Sequence, residues 1–134
     1  MEFYINLIKN IKLSQLNGIY EHYYLCFGDD YKKLKQPLNE LNFIGYFDVN
    51  RYKYNNSKIV YDKLLEYKND ESYNSNNFIY NVDLTDDNII LLTCKKINPY
   101  NKNENHLTIL TQIISPLICK GMKINFISHK NEQP

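Results

Sequence analysis

Residues 78–97, FIYNVDLTDDNIILLTCKKI, carry the clearest structural pattern in the chain. Two runs rich in β-branched and aromatic residues, 78–84 and 89–97, flank the tetrapeptide Thr85-Asp86-Asp87-Asn88. Asp and Asn favour turns because their side chains hydrogen-bond to nearby backbone groups and tolerate the left-handed conformation. The segment therefore predicts a β-hairpin.

Further strands are predicted on both sides of this hairpin. The aromatic run 19–27 ends at Gly28, the segment 42–50 surrounds Gly45 with apolar residues, and 123–128 alternates apolar with polar residues. A glycine inside a strand is typical of a bulge, so we expect one at Gly45. The segment 3–13 fits both a strand and a helical face; as a strand it would form a hairpin with 19–27.

Three segments have the apolar spacing of helices. Ser57 is a suitable N-cap for a helix over 58–68. Leucines at 34, 38 and 41 predict a short helix within 31–41, and 107–120 fits a helix better than a strand. Strands and helices are interleaved without a regular βαβ repeat. We therefore predict a single α+β domain over 1–134, with a mostly antiparallel sheet and about three helices, polar loops near 69–77 and 98–105, and a frayed tail at 129–134.

Composition excludes several classes of protein. Hydrophobic residues make up 43% and charged residues 23% of the 134 residues, as in ordinary globular domains. Sixteen basic and fifteen acidic residues leave a net charge of +1, which disfavours a dedicated nucleic-acid binder. The most apolar window, 107–119, is too short to cross a bilayer, so no membrane partner is expected. A single Arg, no Ala and 20 Asn indicate an AT-rich genome, which motivates the hypothesis of a viral or mobile-element protein.

The three cysteines, Cys26, Cys94 and Cys119, are far apart in sequence and form no Cys-x-x-Cys pair. An odd number of cysteines, without the pattern of a secretory leader at the N-terminus, is typical of reduced thiols. We therefore expect a cytoplasmic protein, in the host cytoplasm if it is viral. Cys26 and Cys94 fall in predicted strands, where we expect them to be small buried core residues.

Motifs for cofactors and catalysis are missing from the sequence. The four glycines never cluster, which disfavours a phosphate-binding loop, and no serine has the glycine neighbours of a nucleophile elbow. Only His22 and Cys26 have the close spacing of a ligand pair, so we expect no metal and no cofactor. Whether His106 or His129 approaches a cysteine is left open, and a role other than catalysis is favoured.

The acidic residues at the hairpin allow a second interpretation. Asp83, Asp86 and Asp87 lie close in sequence to Lys95 and Lys96, as carboxylates and lysine do in metal-dependent nucleases. That pattern needs an acidic residue two positions before the lysine. In this chain the residue two positions before Lys95 is Thr93, so the metal-ligand pattern is incomplete. We therefore favour turn formation over metal binding for these residues.

One segment interleaves rings with cations, a pattern typical of single-strand nucleic-acid binding. The candidate binding residues are Tyr46, Arg51, Tyr52, Lys53, Tyr54, Lys58 and Lys63. Asp48, Asp62 and Glu66 interrupt the positive charge, which favours an ordinary solvated surface instead.

Three functions are carried forward. The leading hypothesis is a small intracellular protein that binds another protein, because thirteen tyrosines supply a residue type enriched at interfaces. In this hypothesis the protein is a viral or mobile-element factor directed at a host component. The alternatives are a nucleic-acid-binding protein or metal-dependent nuclease that uses the surface 46–63, and a self-assembling structural component of a particle.

Overall fold

The computed structural model describes residues 3–14, 20–49, 57–70, 78–97, 110, 112–114 and 125–127. The described residues confirm the predicted α+β class, with a largely antiparallel sheet and short helices. In chain order the elements are β1 (Phe3–Lys9), α1 (Ile11–Ser14), β2 (Tyr20–Phe27), β3 (Asn42–Val49), α2 (Ser57–Lys68), β4 (Phe78–Leu84), β5 (Ile90–Lys96) and β6 (Asn125–Ile127). Two 3-10 helices, Gly28–Lys33 and Leu38–Glu40, connect β2 to β3.

The six described strands form one sheet in the order β4-β5-β2-β1-β3-β6, and every neighbouring pair is antiparallel. The hairpin predicted at 78–97 is confirmed as β4 and β5. The ambiguous segment 3–13 is a strand up to Lys9, and it pairs with β2 as the hairpin prediction required. β4 lies at one end of the sheet order.

The turn between β4 and β5 is a three-residue loop. Thr85 N–H donates to Ile89 O at 2.9 Å, and Asn88 N–H donates to Thr85 O at 2.9 Å. Asn88 has φ +61°, the left-handed conformation that such loops need at their last position. The Thr85 hydroxyl also accepts the Ile89 N–H at 3.0 Å, so the turn holds the register of the two strands.

The main core lies between one face of the sheet and α2. Val60 and Leu64 of α2 are fully buried, and the Tyr80 hydroxyl donates to the Leu64 carbonyl oxygen at 3.1 Å. Residues 110 and 112–114 are helical, in agreement with the favoured prediction for 107–120. Three of them complete the cluster: Leu110, Ile113 and Ile114.

The opposite face of the sheet is covered at one end by the connection from β2 to β3. Ile8, Cys26 and Ile89 are buried there against Leu41. This connection corrects the prediction of a helix within 31–41, because its helical parts are two short 3-10 helices.

Proline explains the correction. Pro37 has no N–H, and it disfavours helical backbone at the residue before it. Pro37 itself has an extended ψ of 138°, and Leu34 is likewise extended with ψ 129°. Leu38 is 44% exposed whereas Leu41 is 5% exposed, so the leucine spacing does not reflect a shared buried face.

The bulge expected at Gly45 is confirmed by the pairing of β1 with β3. Leu7 pairs with Gly45 but the next residue, Ile8, pairs with Phe43. Ile44 is therefore the extra residue, directly beside the glycine. The loop 98–105, most of the loop 69–77 and the tail 129–134 lie outside the described residues, and the extent of one domain over the whole chain stays a prediction.

Candidate interaction surface at the edge of strand β4

β4 is a regular strand that is paired on one side. All seven of its residues pair with β5 without a register shift. No described strand pairs with its other side. Natural edge strands are usually kept short, are interrupted by proline or a bulge, or are shielded by charged side chains such as lysine, to prevent unwanted pairing. β4 contains neither proline nor glycine, so it keeps the geometry needed to accept another strand.

The turn shows which backbone groups point to the open side. Thr85 and Ile89 form a hydrogen-bonded pair, and in an antiparallel ladder such pairs recur at every second residue. Along β4 the hydrogen-bonded positions are therefore Asp83, Asn81 and Ile79. The other four residues of β4 alternate with these positions and direct their N–H and C=O groups away from β5, towards the open edge. They are Phe78, Tyr80, Val82 and Leu84.

The side chains of β4 divide between the two faces of the sheet. Phe78, Tyr80 and Val82 are buried under α2, and Ile79, Asn81 and Asp83 are exposed on the opposite face. Ile79, the second residue of β4, is 50% exposed and gives this face an apolar side chain.

A lysine from the helix crosses the open edge. α2 packs on the buried face of β4, whereas Asn81 lies on the exposed face. The Lys68 ammonium nevertheless donates a hydrogen bond to Asn81 Oδ1. The Lys68 side chain must therefore pass over the edge of β4 to reach its acceptor, and it places a positive charge beside the open backbone groups.

Charge is distributed unevenly along the hairpin. Lys95 and Lys96 pair with Ile79 and Phe78 at one end of β4. Three aspartates lie at the other end. Asp83 is the last but one residue of β4, and Asp86 and Asp87 lie in the loop that follows it. Within the described part of the chain, none of these five side chains forms an ion pair. The hairpin thus has a basic end and an acidic end.

The exposed face beside β4 carries two aromatic rings from β2. The Lys95 ammonium lies 5.7 Å from the centre of the Tyr20 ring, and the Tyr20 and His22 rings are 6.4 Å apart at 24°. His22 Nδ1 is 3.1 Å from Thr93 Oγ1. Burial lowers the pKa of His22 from its ordinary value, against a smaller opposing effect of the Glu21 carboxylate, which favours the neutral imidazole.

The described thiols do not form a reactive site. Cys26 and Cys94 are free and buried on β2 and β5, as predicted. Burial raises the pKa of each thiol to about 12, so both are protonated at neutral pH and are poor nucleophiles. Cys119, His106 and His129 lie outside the described residues.

The aspartates of the hairpin do not converge with other metal-binding groups. Among the described residues, no three His, Cys, Asp or Glu side chains come together as a metal site. Asp86 and Asp87 lie in the turn, where their side chains suit the loop geometry.

The residues predicted to bind nucleic acid are only partly described. Tyr46 lies in β3, opposite Asn6, and residues 51–54 are outside the described part. Lys58 and Lys63 lie on α2, where Lys58 pairs with Asp62 at 2.9 Å and Lys63 pairs with Glu66 at 3.4 Å. Each of these two lysines is therefore partly neutralised by an acid on the same helix.

Sequence reasoning missed the β4 edge, because it identified the hairpin but not its place in the sheet. The absence of proline and glycine from 78–84 was the available signal.

None of the described helices has the length and apolar character needed to cross a membrane. Comparison with protein-family models, curated proteins and solved structures found no match to this chain.

Proposed function

We propose that this is a protein-binding factor and that it binds an extended segment of its partner as an added strand on β4. Strand addition uses main-chain hydrogen bonds for affinity and alternate side chains for specificity. The observation that carries the proposal is the open edge of β4, a regular seven-residue strand paired on one side in the described structure.

The exposed neighbours of the edge support a protein partner. Ile79 gives an apolar contact, and the Lys68 and Lys95 ammonium groups give positive charge on the same face of the sheet as Ile79. A strand with apolar residues and a carboxylate would complement this arrangement. The Lys95 and His22 contacts already engage the Tyr20 ring, which makes that ring a poor platform for a nucleic-acid base.

We also place this activity in the cytoplasm. The two described cysteines, Cys26 and Cys94, are free thiols, which is the usual state in a reducing compartment.

A photo-crosslinking experiment tests the proposal. The crosslinking residue p-benzoylphenylalanine is placed at Ile79 in one variant of the full chain and at Ile59 in a matched control. Ile59 lies on α2 and is 45% exposed, close to the 50% of Ile79, but it is not on the edge strand. We expect protein adducts from position 79 in cells of the source organism and few from position 59.

Three results would contradict the proposal. These are the absence of adducts at position 79, equal adducts at the two positions, and adducts that contain nucleic acid in place of protein. The last result would favour a nucleic-acid-binding role.

A further inference from the structure

The Lys68 side chain divides the open edge of β4 into two short stretches. Asn81 is the central residue of the strand, and its Oδ1 accepts the hydrogen bond from the Lys68 ammonium. Because the lysine belongs to α2 on one face of the sheet and its acceptor lies on the other, the side chain crosses the edge beside Asn81. The stretches 78–80 and 82–84 remain on either side of the crossing.

A strand that pairs along the whole of β4 would occupy the space of the Lys68 side chain. Paired strands lie about 5 Å apart, so an incoming backbone passes directly beside the edge that the lysine crosses. The outward N–H and C=O groups of Tyr80 and Val82 flank the crossing, and both are needed for a continuous ladder. A segment can therefore complete its pairing only after Lys68 has left Asn81.

The backbone of Lys68 is held in place beside the edge. Lys68 is the last residue of α2 and follows the fully buried Leu64 by one turn of the helix. The Tyr80 hydroxyl donates to the Leu64 carbonyl oxygen at 3.1 Å, so β4 itself holds the end of α2. The base of the lysine side chain thus stays beside the edge whether or not its ammonium group is bound.

The far end of the Lys68 side chain is held weakly. Its hydrogen bond to Asn81 is exposed, so water can replace either partner. Exposed polar contacts of this kind contribute little to stability, because the groups are almost as well solvated when they separate. Rotation about the side-chain torsions of Lys68 is enough to clear the edge. The contact can therefore open without any movement of α2 or of the sheet.

We propose that Lys68 is an autoinhibitory residue of the β4 edge, which blocks strand addition while it is bound to Asn81 and permits it after it moves away. This inference rests on the proposed function and describes how the same edge is regulated. Lysine is one of the residues with which edge strands discourage indiscriminate pairing. A segment must form enough main-chain hydrogen bonds to outweigh the lost contact, so short or poorly matched segments are rejected.

Photo-crosslinking from position 79 tests the inference, with p-benzoylphenylalanine in the full chain and protein adducts measured per amount of chain in cells of the source organism. Lys68→Ala removes the blocking side chain, and we expect about threefold more adducts than in the wild type. Asn81→Asp offers the ammonium a carboxylate, which binds it more firmly, and we expect fewer adducts.

Two controls accompany these variants. Lys58→Ala removes another exposed lysine of α2, one that pairs with Asp62 in the first turn of the helix, and it should give the wild-type yield. Lys68→Arg keeps a long cationic donor at the edge and should also stay close to the wild type. Circular dichroism of each purified variant checks that the chain is folded.

A double variant separates blocking from a direct effect of residue 81 on the partner. If Lys68 and Asn81 act through one contact, Asn81→Asp changes the adduct yield only while Lys68 is present. We therefore expect the double variant Lys68→Ala, Asn81→Asp to give the same high yield as Lys68→Ala.

Three results would overturn the inference and leave strand addition standing. These are equal yields from the wild type and Lys68→Ala, a lower yield from Lys68→Ala, and an equal fall caused by Asn81→Asp with and without Lys68. A lower yield from Lys68→Ala would show that the lysine contacts the partner and does not block it. If no variant gives protein adducts from position 79, the proposed function fails and the inference fails with it.

Discussion

Lys68 and Asn81 are joined by a hydrogen bond although they belong to opposite faces of the sheet. At this bond the Lys68 side chain of α2 extends past the edge of β4 to the opposite face of the sheet. It gives the edge strand a positive charge at the centre of its open side, where lysine is one of the residues that natural edge strands use to discourage indiscriminate pairing. A strand that is added at this edge must displace the Lys68 side chain from Asn81, so we expect Lys68 to limit which segments are added.

Lys68→Met should leave the stability of the isolated chain almost unchanged. The bond to Asn81 is exposed, so water replaces it when it is lost, and we expect a change in the free energy of unfolding below about 0.5 kcal/mol. Urea denaturation at a single low protein concentration measures this change in the free energy of unfolding. A loss of several times that size would show that Lys68 holds α2 on the sheet and is not mainly an interaction residue.

Leu64→Ala should destabilise the protein by about 2–5 kcal/mol, because it leaves a cavity in the core under β4. Leu64 is fully buried. Ile59→Ala on the same helix is the control, since Ile59 is 45% exposed and should lose less than about 1 kcal/mol. Equal losses in the two variants would contradict the packing of α2 described above.

Tyr80→Phe should reduce stability by about 1 kcal/mol, because it removes the hydrogen bond from the Tyr80 hydroxyl to the Leu64 carbonyl. It should also change the alkaline pH dependence. Burial raises the pKa of Tyr80 to about 12, from an ordinary 10.0.

The direction of this pH effect on stability follows from the order in which the unfolded and folded states lose the Tyr80 hydroxyl proton. Below pH 10 both states hold it and the stabilising effect is complete. Between pH 10 and 12 the unfolded state loses its proton first, so the free energy of unfolding falls as the pH rises. We expect a shallower fall in Tyr80→Phe than in the wild type when urea denaturation is repeated across this range. Identical slopes would show that Tyr80 is not shielded from water.

Cys26 and Cys94 should resist alkylation in the folded protein. Burial raises the pKa of both thiols to about 12 and hides them from reagents. Iodoacetamide at pH 8, followed by peptide mass spectrometry, should label neither site in buffer and both in urea. Rapid labelling of Cys94 in buffer would mean that the sheet opens between β5 and its neighbours.

Asn88→Gly should be tolerated, whereas Asn88→Ala should cost about 1 kcal/mol. Asn88 has φ +61°, a conformation that glycine adopts freely and that alanine adopts with strain. Thermal unfolding at one fixed protein concentration compares the stability of the two variants with that of the wild type. Asp86→Ala is the control in the same turn, and a larger loss there than in Asn88→Ala would contradict the loop geometry.

Local sequence patterns predicted the elements that depend on neighbouring residues. The β4–β5 hairpin follows from two apolar runs and a turn tetrapeptide, and α2 follows from apolar positions that recur each turn. The bulge beside Gly45 also has a local cause. The helix within 31–41 was wrong because the leucine spacing was given more weight than Pro37, whose missing N–H acts over the same few residues.

The candidate site needed information that no local pattern contains. Periodicity assigns a residue to a strand and to one of two faces, but it does not state which strands are neighbours. The sequence order of strands β1 to β6 differs from their order in the sheet, and it is the order in the sheet that places β4 at one end of the described strands. The residues selected from sequence for binding, which include Lys58 and Lys63, were chosen for ring and charge content. On α2 these two lysines pair with acids of their own helix.

The amino-acid sequence by itself determined the class of fold, the hairpin with its turn, and the burial of the two described cysteines. These depend on side-chain volume, hydrophobicity and turn preference, which act over a few residues. Tertiary structure alone decided that β4 is at the end of the sheet formed by the described strands and that Lys68 from α2 contacts Asn81 there. The reason is that a strand edge and a contact around it exist only after distant segments have packed, since the free energy that orders them comes from the shared core.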